Sequence, residues 1–316
     1  MKNIVVIGGG SGTYQVLKGL KKYTSNLTGI FTMFDSGGSS GLLRDEFGYL
    51  PPGDVRRGIL ALSSDYSNTK MLRELFNYRF SKGNGLKGHN FGNLLLTALK
   101  DITGSELEAI KETSKLFHIK GKVLPITIDQ ANLCAELEDG TIIIGENNID
   151  IPKHNPILKI KRIFLDKSTK ILGDAVDAIL SADLIVIGPG DLFTSLIPNL
   201  IVEGTIEAIK QSKAKKVYIC NIMTKNGETN DLKASDFIKT LEDYLGKNII
   251  DYFIINNKKA SKELLEKYNL ERASQVEIDK ELDKMKVNLI IGDFINETDI
   301  LRHDSEKLAK KLIELS

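Results

Sequence analysis

Residues 5–13, with the sequence VVIGGGSGT, constrain the fold most, because four glycines fall within five positions directly after an apolar run. Residues 4–7 are apolar and β-branched, which is typical of a buried strand. Glycine has no Cβ and tolerates positive φ, so a tight turn here can bring backbone N–H groups close to a ligand. Val16, Leu17 and Leu20 follow at helical spacing. Strand, glycine turn and helix predict the phosphate-binding start of a doubly wound, mainly parallel α/β domain.

The glycine spacing departs from the dinucleotide-binding fingerprint, because Thr13 stands where that motif has its last glycine. One alternative is a turn that only lets the helix pack against the strand. Four glycines exceed what a plain turn needs, which favours a ligand-binding turn. Binding of NAD remains a second alternative.

Composition excludes several classes of function. The chain has 316 residues with 41% hydrophobic and 27% charged residues, which are ordinary globular values. A net charge of +1 gives no electrostatic case for nucleic acid or a membrane surface. Cys134 and Cys220 are far apart, without disulfide or zinc spacing. No signal peptide or membrane-spanning segment is indicated, so we expect a cytoplasmic protein.

A second strand is predicted at residues 27–34, and Asp35 follows it where a dinucleotide fold carries its ribose-binding acid. Residues 35–41, DSGGSSG, could form a linker, but a linker seldom joins a buried strand to a charged cluster. We therefore predict a functional loop.

Two arginines stand at the start of the next predicted helix, which Asp54 is expected to N-cap. Arg56 and Arg57 lie at the wrong end of that helix for cations. Either an anion binds nearby, or Asp45 and Glu46 are their partners, and the sequence leaves both open.

His89 precedes another apolar helix and is either a general base or hydrogen-bond donor, or a capping or packing residue. The pattern of residues 122–165 predicts a β-rich insertion. Its strands are expected at 123–128, 131–137 and 141–144, with a hairpin turn at Asp139-Gly140. The insertion could be a lid or a dimer arm.

The second half of the chain repeats the first pattern. A strand at 184–187 leads to Gly188-Pro189-Gly190, and Thr194 and Ser195 stand at the next predicted helix. Further strands are predicted at 217–220, 250–255 and 287–291, and helices at 174–181, after Pro198, and at 235–245, 261–268 and 305–315.

Polar and glycine clusters thus follow several apolar strands, and in a parallel sheet these ends share one edge. We expect one ligand cleft lined by residues 8–13, the segment from Asp35, residues 188–195 and residues 221–224. Two glycine turns indicate a phosphorylated or nucleotide ligand. No Gly-Lys-Ser/Thr motif indicates a P-loop, and the first glycine turn, around Ser11, lacks the Gly-x-Ser-x-Gly spacing of a serine hydrolase.

A metal site is not predicted, although Asp35, with Asp45, Asp54 and Asp191, could hold Mg²⁺ on a phosphate. Loop aspartates are more often caps and turn formers. Near the end of the chain, Arg302 is either a phosphate clamp or a surface arginine.

These motifs closely resemble the YvcK branch of the CofD-like family over nearly the whole chain. The matching segments are residues 7–13, 35–41, 43–46, 50–56, 88–93, 188–190, 194–195, 220–224 and 301–304. The resemblance implies a single α/β domain over residues 1–316, a Rossmann-like three-layer sandwich with a mainly parallel sheet and the β-rich insertion at 122–165.

The resemblance also implies a cytoplasmic regulator that binds a UDP-sugar such as UDP-N-acetylglucosamine and connects gluconeogenic carbon with cell-wall supply and cell shape. A homodimer and a further protein partner are expected with it. The implied nucleotide site and the contacts that we expect around it are Gly9, Gly10, Ser11, Gly12, Thr13, Gly188, Gly190, Thr194, Asn221, Tyr268 and Arg302, with Ser39, Ser40, Arg44, Arg56, His89 and Asn93 on neighbouring loops.

The CofD branch itself is similar to a 2-phospho-L-lactate transferase that uses a deazaflavin acceptor and a divalent metal. In that alternative, Asp35 would hold the metal or activate the acceptor hydroxyl. This chain departs from the family pattern at Asp191, Arg57 and Asn90. A carboxylate at Asp191 is unfavourable in a phosphate-binding turn unless it faces away or meets a cation.

Overall fold

The computed structural model describes residues 2–64 and 70–316. Twelve strands form a main sheet and two small antiparallel sheets. The strands are β1 (Ile4–Gly8), β2 (Leu27–Phe31), β3 (Lys122–Pro125), β4 (Leu133–Leu137), β5 (Ile142–Ile144), β6 (Ile160–Leu165), β7 (Leu184–Ile187), β8 (Lys215–Ile219), β9 (Tyr252–Asn256), β10 (Asn288–Gly292), β11 (Ile295–Glu297) and β12 (Leu301–His303).

The main sheet has the order β3-β2-β1-β7-β8-β9-β10, and all its neighbouring strands are parallel. The helices are α1 (Gly10–Leu20), α2 (Gly38–Phe47), α3 (Gly53–Leu62), α4 (Lys70–Asn77), α5 (Phe91–Thr103), α6 (Glu106–Leu116), α7 (Glu146–Asp150), α8 (Gly173–Leu180), α9 (Ile197–Leu200), α10 (Thr205–Gln211), α11 (Ala234–Leu245), α12 (Lys262–Leu270) and α13 (Ser305–Leu315).

Strand β1 is apolar without interruption because it is buried on both faces. Val5 and Ile7 belong to one hydrophobic core, while Ile4 and Val6 belong to the core on the opposite side of the sheet. Two helical layers therefore enclose one sheet, and the predicted Rossmann-like three-layer sandwich is confirmed.

The order of the main sheet places a topological switch point between β1 and β7. Val6 lies beside Gly29 of β2 on one side and Val186 of β7 on the other. The chain leaves β1 and β7 in opposite directions across the sheet, which opens a crevice beyond their carboxyl ends. Both predicted glycine turns begin at this crevice.

The separate antiparallel sheet is smaller than the predicted insertion. The segment Lys122–Pro125 pairs in parallel with β2 and is the edge strand of the main sheet, so the antiparallel strands begin at Leu133 rather than at residue 122. Their order is β5-β4-β6, and the predicted hairpin joins β4 to β5. A short apolar run looks alike in either sheet, because periodicity does not reveal its pairing partner.

Two helices differ from the prediction. The glycine-serine segment forms helix α2 rather than a loop, since burial of Ser39, Ser40 and Leu43 overrides the low helix propensity of glycine and serine. A π-helical turn at Leu192–Leu196 runs directly into α9, so helical structure starts before Pro198. No helix among the described residues is long and apolar enough to cross a bilayer.

Candidate functional site

The switch point opens into a cavity of about 680 Å³, which we call the first cavity. Gly10 and Gly190, from the two glycine turns, both line it, as the sequence predicted. Its far wall comes from the segment after β8 and from α12 and β12. The cavity as a whole is lined, among others, by Ser11, Gly12, Gln15, Asp150, Asp191, Asn221, Thr224, Lys225, Tyr268, Arg302 and His303.

The two glycine turns are in direct contact. A Cβ on Gly12 would lie 2.4 Å from the carbonyl oxygen of Pro189, so glycine is needed for this close approach. The hydroxyl of Thr13 donates to the same carbonyl over 3.3 Å. These contacts place the first turn of α1 beside the second glycine turn.

Asp54 caps a helix other than its own. It was predicted to N-cap the helix that follows it, but α3 begins at Gly53 and the Asp54 carboxylate accepts from the Gly10 N–H at 3.0 Å, at the start of α1. Burial raises the pKa of Asp54. The first amides of a helix have no intrahelical acceptor, which applies here to those of Ser11 and Gly12.

A charged cluster closes the second glycine turn. Asp191 lies 2.9 Å from Nζ of Lys225, so the carboxylate that is unfavourable for phosphate meets a cation. The same Nζ contacts Glu228 at 3.0 Å and Asp150 of α7. One lysine thus joins three carboxylates, one of them from the segment that follows β5.

Glu228 is the most buried member of this cluster, with a side chain that is 0% exposed. Burial raises its pKa to about 8, although Lys225 opposes the shift. The oxygens of Asp150, Asp191 and Glu228 all lie within 4.8 Å of one another, as metal ligands would. Since Nζ of Lys225 contacts all three, a cation already lies among these oxygens.

The far wall carries polar groups without protein partners. Arg302 is half-buried, and its guanidinium forms no hydrogen bond or ion pair with the residues that the structure describes. Oδ1 of Asn221 and Nε2 of His303 are also unpartnered within the described chain. Burial lowers the pKa of His303 to about 4, so its imidazole is neutral at pH 7.

Tyr268 supports this wall. Its hydroxyl accepts from the N–H of Leu301 at 3.1 Å and so ties α12 to the β11–β12 hairpin that carries Arg302. Tyr268 and Arg302 are thereby brought to one cavity from positions far apart in the chain.

A second cavity of about 490 Å³ adjoins the first. Its other walls are the beginnings of α2 and α3 and helix α7. The two cavities share Gly10, Ser11, Asp150, Asp191, Ser195, Lys225 and Arg302, while Thr32, Asp35, Ser39, Ser40, Asp54, Arg56, Arg57, Arg79, Asn93, Glu146 and Thr194 line the second alone.

Carboxylates occupy one side of the second cavity. Asp35 accepts from the N–H of Gly37 at 2.8 Å, and Glu146 from the N–H of Ser36 at 3.4 Å. Burial, together with the charges of Asp35 and Asp150, raises the pKa of Glu146 to about 9. Glu146 is therefore a neutral acid at pH 7.

Arginines occupy the other side, and their predicted acidic partners lie elsewhere. Asp45 pairs with Arg44, and neither Asp45 nor Glu46 contacts Arg56 or Arg57. That alternative for the two arginines is therefore wrong. Arg57 pairs with Asp54 instead, at 3.2 Å.

The structure brings most of the predicted site residues to these two cavities. Five do not line either one. Gly9, Thr13 and Gly188 are buried behind the turns, Arg44 binds Asp45 and Asn132, and His89 is buried with Nδ1 3.4 Å from the hydroxyl of Ser39. Of the two roles weighed for His89, packing fits, since Asn90 caps α5.

Several lining residues were missed from the sequence. Lys225 directly follows the polar segment after β8, so extending that segment by one residue would have found it. Asp150 and Glu146 lie in the segment taken for an insertion, and Arg79 in an irregular segment before α5. No local pattern marks these three, because only tertiary packing brings them to the crevice.

Fold and site together define a class: a doubly wound α/β protein with an open crevice at the switch point of its sheet, where glycine turns and helix N-termini meet. The family model for 2-phospho-L-lactate transferase CofD matches residues 4–295. The chain therefore belongs to the CofD family.

Relatives place it within that family. The gluconeogenesis factor of Halalkalibacterium halodurans is 46% identical over 316 residues, which cover 99% of this chain and 96% of the relative. That of Bacillus subtilis is 42% identical over 315 residues, covering 99% and 97%. A crystal structure of a UPF0052 family protein from Bacillus halodurans superposes with a TM-score of 0.93 at 44% identity, covering 99% of this chain and 100% of that one. The predicted YvcK type is confirmed.

Proposed function

We propose that this protein is a cytoplasmic regulator that binds a UDP-sugar, UDP-N-acetylglucosamine, and links gluconeogenic carbon metabolism to cell-wall synthesis and cell shape. The observation that carries the proposal is the first cavity, where two contacting glycine turns and the start of α1 face one space of about 680 Å³. This volume lies in the range of small-molecule sites.

The diphosphate would lie against the glycine turns. The amides of Ser11 and Gly12 stand at the positive end of the α1 dipole, which favours an anion. Arg302 supplies a guanidinium without a partner among the described residues, and a guanidinium matches phosphate oxygens in a bidentate geometry.

The nucleoside and sugar would meet the far wall. Asn221 and His303 each keep an unpartnered polar atom there, and a buried polar atom without a partner is costly unless a ligand or water satisfies it. Ribose and sugar hydroxyls can donate to both. The name of these relatives, gluconeogenesis factor, supports the regulatory part of the proposal.

Calorimetry with UDP-N-acetylglucosamine tests the ligand. We expect saturable binding that Arg302→Gln weakens about tenfold or more, since a charge-assisted hydrogen bond is lost. Arg162→Gln is the matched control, because Arg162 pairs with Glu136 on the antiparallel sheet, away from the first cavity. Absence of heat and of a thermal shift at millimolar ligand would end the proposal.

A transferase like CofD is the second candidate, and the second cavity favours it. A donor in the first cavity would have space beside it for an acceptor, with Asp35 and Asp54 in the wall. Carboxylate oxygens suit Mg²⁺, which would neutralise phosphate charge when bound. Formation of product from nucleotide-activated phospholactate and a deazaflavin acceptor with Mg²⁺, abolished by Asp35→Asn, would favour this candidate. NAD as the ligand is tested by competition with the UDP-sugar.

A further inference from the structure

Arg56, in the second cavity, is a buried cation without a countercharge in contact. It is 7% exposed, and its guanidinium donates to two neutral amides, Asn93 at 2.9 Å and Asn77 at 2.9 Å. No carboxylate among residues 2–64 and 70–316 forms an ion pair with it. Burying a charge is costly unless it is paired, and the two amides leave the positive charge of Arg56 without a negative partner in contact.

We infer that the second cavity contains an anion-binding subsite, centred on Arg56, for the phosphate or carboxylate group of a small ligand other than the sugar nucleotide. The inference does not rest on the proposed function, because Arg56 lines only the second cavity.

Further cations face the same space. Arg79 is exposed and donates to the carbonyl oxygen of Gly88 at 2.6 Å, without an acidic partner among the described residues. Burial and the neighbouring charges of Arg57 and Arg79 lower the pKa of Arg56 to about 10, which still leaves it charged at pH 7. Mutually repelling arginines in one wall are stabilised when an anion lies between them.

Neutral donors complete the wall. Helix α2 begins beside Arg56, and the amides of its first turn, from Gly38 to Ser40, lack intrahelical acceptors. Asn93, which holds Arg56, also donates to the hydroxyl of Ser40 at 3.3 Å. Thr32 lines the cavity, is 3% exposed, and its hydroxyl has no partner within the described residues.

The acids of this cavity form no ion pair with Arg56 within the described chain, although the charges of Asp54 and Asp35 favour its charged form. Asp54 already accepts from the Gly10 N–H and pairs with Arg57. Asp35 accepts from the Gly37 N–H, and Glu146 is neutral at pH 7. A guanidinium fork beside helix amides suits the oxygens of phosphate or carboxylate, and about 490 Å³ admits only a small ligand.

The experiment is titration calorimetry of the full chain with inorganic phosphate and, in a second arm, with malonate, both at constant ionic strength. We expect saturable binding of at least one anion, and the stronger arm identifies phosphate or carboxylate as the recognised group. Arg56→Gln should weaken binding about tenfold or more. Arg162→Gln should leave it unchanged.

A second variant keeps the test decisive if Arg56→Gln fails to fold. Arg79→Gln changes an exposed side chain, so it should fold, and we expect it to weaken the same anion about threefold. If Arg56→Gln does not fold, Arg79→Gln decides.

Repeating the titration in saturating UDP-N-acetylglucosamine separates the two cavities, and we expect unchanged anion affinity. Three results would overturn the inference: neither anion binds, the folded variants bind like the parent, or the nucleotide displaces the anion. Failure of the nucleotide to bind would refute only the proposed function, because the anion titration is read without it.

Discussion

The two cavities, which share Lys225 in their walls, are lined by different kinds of groups. The first is centred on the glycine turns after β1 and β7 and on the segment after β8. The second is lined by charged side chains from α3 and α7 together with the glycine and serine residues at the start of α2. The first depends on backbone fit, which the chain specifies locally, whereas the second depends on the balance of charges that only tertiary packing assembles.

The wall shared by both cavities should be the most sensitive point. Lys225→Met leaves the buried carboxylate of Glu228 beside Asp150 and Asp191 without a cation. We expect a loss of about 3–5 kcal/mol in the free energy of unfolding by urea at pH 9, above the pKa of Glu228 in the parent, since breaking a buried pair strands its partner. The loss should be smaller at pH 5, where Glu228 is protonated with or without the lysine.

Lys161→Met is the matched control for that measurement. Lys161 is 62% exposed and pairs with Glu136 on the antiparallel sheet, so its removal should change stability little. Equal losses for both variants would contradict the special role of the shared wall.

The backbone fit of the first cavity is tested by Gly12→Ala. The new Cβ would lie 2.4 Å from the carbonyl oxygen and 2.7 Å from the carbonyl carbon of Pro189. We expect a loss of about 1–3 kcal/mol, measured by urea unfolding, because a backbone carbonyl cannot move aside cheaply. Gly173→Ala is the control: apart from its chain neighbours and its own helix backbone, no atom of the described residues lies within 4 Å of its Cβ position. The control should be neutral or stabilising by about 0.4–1 kcal/mol.

The charge balance of the second cavity predicts a dependence of stability on pH. The pKa of Glu146 is about 9 in the folded protein, above its ordinary value of 4.5, so the folded state holds a proton that the unfolded chain has released. Stability from this group is full below pH 4.5 and is lost as the pH rises through 9.

Glu146→Gln removes this ionisation, so its unfolding midpoint in urea should fall less than that of the parent between pH 6 and pH 9. Glu112→Gln, on an exposed helix face where Glu112 pairs with Lys115, should follow the parent. Parallel curves for Glu146→Gln and the parent would show that Glu146 is ionised in the folded state.

The difference between locally specified backbone fit and charges assembled by tertiary packing also explains which features the sequence could predict. Strands, glycine turns and their shared edge follow from local patterns of apolar residues and glycine, and these predictions were confirmed. The pairing partner of residues 122–125, the helical state of residues 38–47 and the capping role of Asp54 depend on distant contacts. Periodicity and propensity carry no information about such contacts.

The strand order has a consequence for biosynthesis. The neighbour of β1 across the crevice is β7, so the second glycine turn is translated almost 180 residues after the first, and Arg302 follows more than 100 residues later. A nascent chain that has released only its first half exposes one half of the crevice and lacks the facing wall. If the first cavity binds the proposed sugar nucleotide, binding therefore requires a nearly completed polypeptide, and fragments that end early in translation would not compete with the finished protein for that ligand.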